Sequence, residues 1–176
     1  MLAVARRLPV EEALPVLGLL VVATVAVGPQ PVLLGFGWLA VVTPRLVAVD
    51  LAEHRLPDAI VLPGYPVVLA AVLLQAWSTR TAPAAPVLAG IGCGLVLLLL
   101  HLAGGMGYGD VKLAPLLGAL TAAALPGGAV LWLVLAFLVG GVGAAVVLVR
   151  RGAGARMAFG PPLLLAAWAV LLLTAR

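Results

Sequence analysis

Charged side chains are scarce in this sequence. Asp, Glu, Lys and Arg supply 9% of the 176 residues against 65% hydrophobic, and the mean hydropathy is +1.28. A water-soluble globular chain carries about 25% charged and about 45–50% apolar residues. Too little polar surface exists here to coat a soluble core, so the solvent is lipid and the length suits one membrane domain, 1–176. Cysteine is almost absent. Cys93 stands alone inside an apolar run, which excludes an intrachain disulfide framework and a multi-cysteine metal site; we read it as a small buried apolar residue. The basic residues are few and scattered, so the formal net charge of +4 does not describe a nucleic-acid surface. No internal repeat and no low-complexity tail is present.

What the chain has is long apolar runs. A bilayer core about 30 Å thick takes about 20 apolar residues of helix. Breaks at charges and at Gly/Pro punctuation predict an all-α bundle of seven transmembrane helices, with six as the alternative, at about 11–28, 31–49, 58–77, 85–103, 110–126, 129–149 and 158–174. The fifth is the shortest together with the last. Arg6 and Arg7 precede an apolar stretch as in a signal peptide. Glu11 and Glu12 interrupt the handover, and Val27-Gly28-Pro29 offers no small-x-small cleavage site, so the first span is expected to stay uncleaved. With the N-terminus cytoplasmic, the inner segments hold Arg6, Arg7, Arg45, Arg55, Lys112, Arg150, Arg151 and Arg156, and the outer ones only Arg80 and Arg176. Eight against two is the asymmetry of the positive-inside rule. The third and fourth spans then form an outward hairpin around Arg80.

Only six acidic residues remain to be weighed. Glu11 and Glu12 open the first span, where they complement the helix dipole. Glu53, beside His54 and Arg55, reads as a solvated loop charge, and Asp58, after Pro57 and before an apolar run, as an N-cap. Asp50 and Asp110 stand apart. Asp50 closes the run Leu46-Val47-Ala48-Val49 at a helix C-terminus, where the dipole disfavours a negative charge. Asp110 follows the cluster Gly104-Gly105-Met106-Gly107-Tyr108-Gly109. Ionisable groups at membrane depth are functional candidates by default, although each alone also fits a snorkelling or capping carboxylate.

Parity favours them as a pair. Two spans separate Asp50 from Asp110, so both return to the cytoplasmic boundary. Two carboxyl groups a few ångströms apart cannot both ionise comfortably. The pair then offers one carboxylate to take a proton from water and one acid to polarise a peptide carbonyl. That chemistry needs no metal, cofactor or nucleophilic Ser or Cys. The glycines break the helix and remove side chains where a substrate backbone would approach, which is tolerated at membrane depth only around a cavity or inside protein. No Gly-Lys-Ser/Thr follows, so the cluster is not a phosphate loop; a plain turn between helices is its bland reading.

These residues carry a resemblance. Gly107-Tyr108-Gly109-Asp110-Val111-Lys112-Leu113 is similar to the Gly-x-Gly-Asp-x-Lys motif of the type IV prepilin peptidases, intramembrane aspartyl proteases. Val49-Asp50 followed by Leu56-Pro57-Asp58 resembles that family's first-aspartate segment, and Phe159-Gly160-Pro161 its Phe-Gly-Pro motif opening the last helix. Gly-x-Gly-Asp alone is shared with presenilin-like proteases; Lys112 and Leu-Pro-Asp favour prepilin processing. The resemblance covers roughly residues 30 to 175. It implies that Asp50 and Asp110 are the catalytic dyad of an aspartic endopeptidase in the cytoplasmic membrane, and that Gly107 and Gly109 shape the loop presenting Asp110. Lys112 joins them as a substrate-binding or loop-shaping position, either a counter-charge near the carboxylates or a positive-inside anchor. The implied partner is a prepilin or prepilin-like subunit, cut at the cytoplasmic face between its short basic leader and its apolar helix. Larger members carry a cytoplasmic insertion with paired Cys-x-x-Cys motifs and also N-methylate the product. This chain has only Cys93, so it resembles a short, peptidase-only form, with no zinc and no methyl donor expected.

Two other classes stay open: a small transporter or channel relaying protons or cations through the same carboxylates, and a structural partner in pilus assembly. His101 lies close in sequence to the glycine loop and reads as a hydrogen-bonded packing histidine. Gly90 and Gly94 have the spacing of close helix packing or of a homo-oligomer contact; packing within the chain is the simpler reading. The four tryptophans mark interfaces or internal packing.

Overall fold

The computed structural model describes residues 10–152 and 157–175, without the side chains of 10–12 and 151. The expectations for Arg6, Arg7, Arg156 and Arg176, and for the side chains of Glu11, Glu12 and Arg151, lie outside the described residues. Those residues form α1 (Val10–Val27), α2 (Leu33–Glu53), α3 (Asp58–Val61), α4 (Gly64–Thr79), α5 (Ala84–Leu102), α6 (Tyr108–Ala124), α7 (Gly128–Arg151) and α8 (Gly160–Leu172), with no strand among them. Leu62 and Pro63, between α3 and α4, keep helical backbone angles, so 58–79 runs as one 22-residue segment. Seven helical segments thus fall close to the expected positions.

The chain is an all-helical membrane protein. Leu33–Glu53, Asp58–Thr79, Ala84–Leu102 and Gly128–Arg150 are long and apolar enough to cross a bilayer, while Ala13–Val27 and Gly160–Leu172 are apolar but shorter. The outward faces carry large exposed apolar side chains such as Leu17, Leu88, Leu99 and Leu138, the inverse of a water-facing surface.

Two boundaries differ informatively from the sequence reading. The charge at Asp50 predicts a stop near 49, yet α2 continues to Glu53 and ends at His54, whose left-handed backbone (φ 52°) lets its N–H donate to the Asp50 carbonyl at 2.9 Å. The helix tolerates Asp50 because protein, not lipid, surrounds that side chain. Asp58 is the first residue of α3 and not its N-cap; Pro57 holds the cap position, with no side-chain cap bond.

The fifth segment, α6, has 17 residues and is longer than the last, α8, with 13; it is the central one, packing against α3, α4, α5, α7 and α8. A helix surrounded by protein need not be strongly apolar, which explains its weak hydropathy signal. Its tightest seam is with α5. A Cβ built at Gly90 would lie 2.5 Å from the Pro115 carbonyl oxygen, one at Gly94 2.7 Å from Pro115 Cγ, and one at Gly118 2.7 Å from Cys93 Sγ. The Gly90/Gly94 face is therefore consumed inside the chain, and Cys93 is a buried packing residue. Buried Trp132 donates its Nε1–H to the Leu163 carbonyl at 2.9 Å, tying α7 to α8, and Trp168 donates to Thr43 Oγ1 at 3.1 Å, tying α8 to α2. Trp38 packs on Gly64, whereas Trp77 is exposed beside the α4–α5 turn.

At one end of the bundle, Gln75 Nε2–H donates to Gln30 Oε1 at 2.9 Å and Gln75 Oε1 accepts the Val32 N–H at 3.2 Å. This joins the α1–α2 turn to the end of α4, near Arg80. The other end gathers the α2–α3 and α5–α6 connections with the start of α8.

Candidate active site

Asp50 arrives on the last turn of α2 and Asp110 on the first turn of α6, at the same end of the bundle. Both are buried, at 4% and 6% exposure, and both line one open cavity of about 470 Å³. They share it with His54, Arg55, Leu56, Asp58, Gly107, Tyr108, Gly109 and Lys112.

The environments of the two carboxyl groups differ. The Gly160 N–H, at the first position of α8, donates to Asp50 Oδ2 at 2.8 Å. The α8 N-terminus, the positive end of its dipole, thereby offsets the unfavourable C-terminal end of α2 on which Asp50 sits. A Cβ at Gly160 would lie 2.7 Å from that same oxygen, so only glycine lets the backbone come this close. Asp110 Oδ1 is buried without a hydrogen-bond partner, the single such side-chain atom among the described residues.

The glycines around Asp110 have separate tasks. Gly107 caps α6 with an extended backbone, and its carbonyl accepts the Asp110 N–H at 3.2 Å. A Cβ there would lie 3.2 Å from Asp110 Oδ2, so its absence leaves room beside the carboxyl. Gly109 faces the α2–α3 loop, where a Cβ would lie 2.9 Å from Leu56 Cβ and 3.0 Å from its backbone nitrogen. Leu56 also reaches Gly160, with Cδ2 3.3 Å from a Cβ built there. It is thus the wedge between α6, which carries Asp110, and the start of α8, whose N–H holds Asp50. In the sequence, Leu56 stands out only within Leu-Pro-Asp and Gly160 only within Phe-Gly-Pro, and neither pattern carries a task for them.

Lys112 lines the cavity, but its ammonium donates to both Asp58 carboxylate oxygens at 2.7 and 2.8 Å and lies 4.6 Å from the Tyr108 ring centroid. Its carbonyl accepts the Tyr65 hydroxyl at 2.8 Å. Lys112 therefore pairs with Asp58 and ties α6 to α3 and α4. His101 bonds the Met106 carbonyl through Nδ1 at 2.8 Å and packs against Tyr108 with ring centroids 5.4 Å apart. It braces the glycine loop and does not line the cavity. Among the described residues no cluster of His, Cys, Asp and Glu could hold a metal ion.

A polytopic helical membrane protein whose bundle end encloses two buried carboxyl groups is the class these features define. The model of the type IV leader peptidase family matches residues 33–149, from the first residue of α2 to the last turn of α7. The chain belongs to that family. The match includes Asp50, Asp110 and the whole α2–α3 loop; Phe159-Gly160-Pro161 lies beyond it. Among curated proteins and solved structures, nothing matches the chain.

Proposed function

We propose that this peptidase is of the aspartic type, that Asp50 and Asp110 are its dyad, and that it removes the leader of prepilin-like subunits at the cytoplasmic membrane face. The observation that carries the reading is the pair of buried carboxyl groups in one cavity, one held by an N–H donor and the other with a free oxygen. A backbone donor at a helix N-terminus stabilises an ionised carboxylate, so Asp50 is the base. A carboxyl oxygen buried without a partner is costly as a charge, so Asp110 holds the shared proton. Asp50 takes a proton from water while the oxygen adds to the scissile carbonyl carbon and Asp110 protonates the carbonyl oxygen. Collapse of the tetrahedral adduct breaks the C–N bond as the proton on Asp50 passes to the leaving amine and one hydroxyl proton of the adduct returns to Asp110, restoring the carbonyl and the starting protonation.

The basic residues support the orientation. Arg55, Lys112 and Arg150 gather at the cavity end and Arg80 lies at the other, as the positive-inside rule demands for a cytoplasmic site in a seven-span chain. A proton or cation relay would need acids leading across the bundle. The remaining buried polar side chains among the described residues are Thr43, Gln75 and Thr121, none ionisable.

The test is cleavage of a prepilin by the purified protein. Asp50→Asn and Asp110→Asn are each expected to lower kcat by about 10²–10⁴-fold, the usual worth of acid–base catalysis, while remaining folded. Wild-type rates in either variant would remove that residue from the chemistry, and an uncut prepilin with wild type would favour the relay or structural reading.

A further inference from the structure

The segment Met157–Phe159 leads into α8 along α7, and its two larger side chains occupy glycine notches there. A Cβ at Gly140 would lie 2.6 Å from Phe159 Cζ and closer still to Cε2. One at Gly143 would lie 2.6 Å from Met157 Cε. Phe137 closes the other side of Phe159, with ring centroids 5.7 Å apart at 44°. The neighbouring Gly141 faces open space, with nothing within 4 Å. Gly140 therefore marks a seat and not a generally glycine-rich helix.

The seated ring sits one peptide away from the Asp50 contact. Phe159 is the N-cap residue of α8, and the next N–H, that of Gly160, is the one donated to Asp50 Oδ2. Pro161 and Pro162 follow and carry no N–H. Of the first three residues of α8, Gly160 alone can donate, so the direction of one N–H decides how Asp50 is held. Phe159 fixes that direction by being plugged into α7.

We propose that Gly140 and Phe159 form a seat and plug that positions Asp50, making both positioning residues for the reaction although α7 lines no part of the cavity. The proposal rests on the dyad reading above. A methyl group at position 140 must push the Phe159 ring outward, and the N–H next to it moves with it.

The test compares Gly140→Ala, Gly141→Ala, Gly140→Ala/Phe159→Leu and Asp50→Asn in prepilin cleavage. Gly140→Ala is expected to lower kcat by about 100-fold, the scale of a 1 Å misplacement, with KM within about twofold of wild type. Gly141→Ala should cleave at the wild-type rate. The double variant should recover about tenfold over Gly140→Ala, since a smaller plug fits the narrowed seat; neighbours that share a contact couple in this way. If Gly140→Ala does not fold, Phe159→Leu alone serves, with a fall in kcat of about tenfold at unchanged KM. Wild-type kcat in the variant tested, a change confined to KM, or no recovery in the double variant overturns the seat. Asp50→Asn separates the two levels. If it cleaves normally the dyad reading fails, and if it is inactive while Gly140→Ala is normal only the seat fails.

Discussion

Gly109→Ala probes a backbone approach between the two halves of the site. The added Cβ would stand 2.9 Å from Leu56 Cβ and 3.0 Å from Leu56 N, where carbon atoms rest at about 3.5–4.0 Å. Relief needs a shift of about 0.6–1.1 Å between α6 and the α2–α3 loop. The obstacle is backbone and Cβ, not the end of a flexible side chain, so no rotamer change removes it. Leu56 in turn lies beside Gly160, with Cδ2 3.3 Å from a Cβ built there, so the displacement is passed toward the Asp50 side of the cavity as well. Overpacking of this kind costs about 1–3 kcal/mol of stability, and a displacement near 1 Å at a reacting pair costs about 100-fold in rate. Cleavage kinetics and thermal unfolding in one detergent would be measured beside Gly92→Ala, whose Cβ meets nothing within 4 Å. Gly92→Ala should match wild type in rate. A Gly109→Ala protein cutting prepilin within twofold of wild type would refute the wedge.

Other outcomes follow from single contacts. Lys112→Ala breaks an ion pair whose Asp58 side chain is 54% exposed, a class worth about 0–1 kcal/mol. Its unfolding free energy should fall by no more than that, and a loss of kcat above about 100-fold would instead place Lys112 in the chemistry. Trp132→Phe deletes the N–H donated to the Leu163 carbonyl, a second bond beside the one that carbonyl accepts within α8, and should cost about 0.5–1.5 kcal/mol. Denaturant unfolding that leaves the stability unchanged would show that this indole bond does not hold α7 to α8.

Much of the architecture was legible because lipid imposes a length and composition on each helix. The weakest signal, residues 110–126, came from the helix that turned out to be central. Hydropathy reports contact with lipid, and α6 is enclosed by other helices on most sides. The stop at Asp50 was misplaced for a related reason, since a charge ends an apolar run in sequence but not a helix whose carboxyl is satisfied by Gly160. Asp58 looked like a cap, but its partner Lys112 lies fifty-four positions away.

The amino-acid sequence alone determined that the chain lives in lipid, where its helices run, and which two acids stand at compatible depths, because these depend on local composition and on the parity of crossings. The tertiary structure decided what surrounds those acids: Gly160 on one carboxyl, no partner on Oδ1 of the other, Leu56 between Gly109 and Gly160, and Phe159 lodged against Gly140. Each of those contacts joins segments remote in the chain, and its distance is set by how closely glycine lets two backbones approach, a quantity that periodicity and hydropathy do not carry.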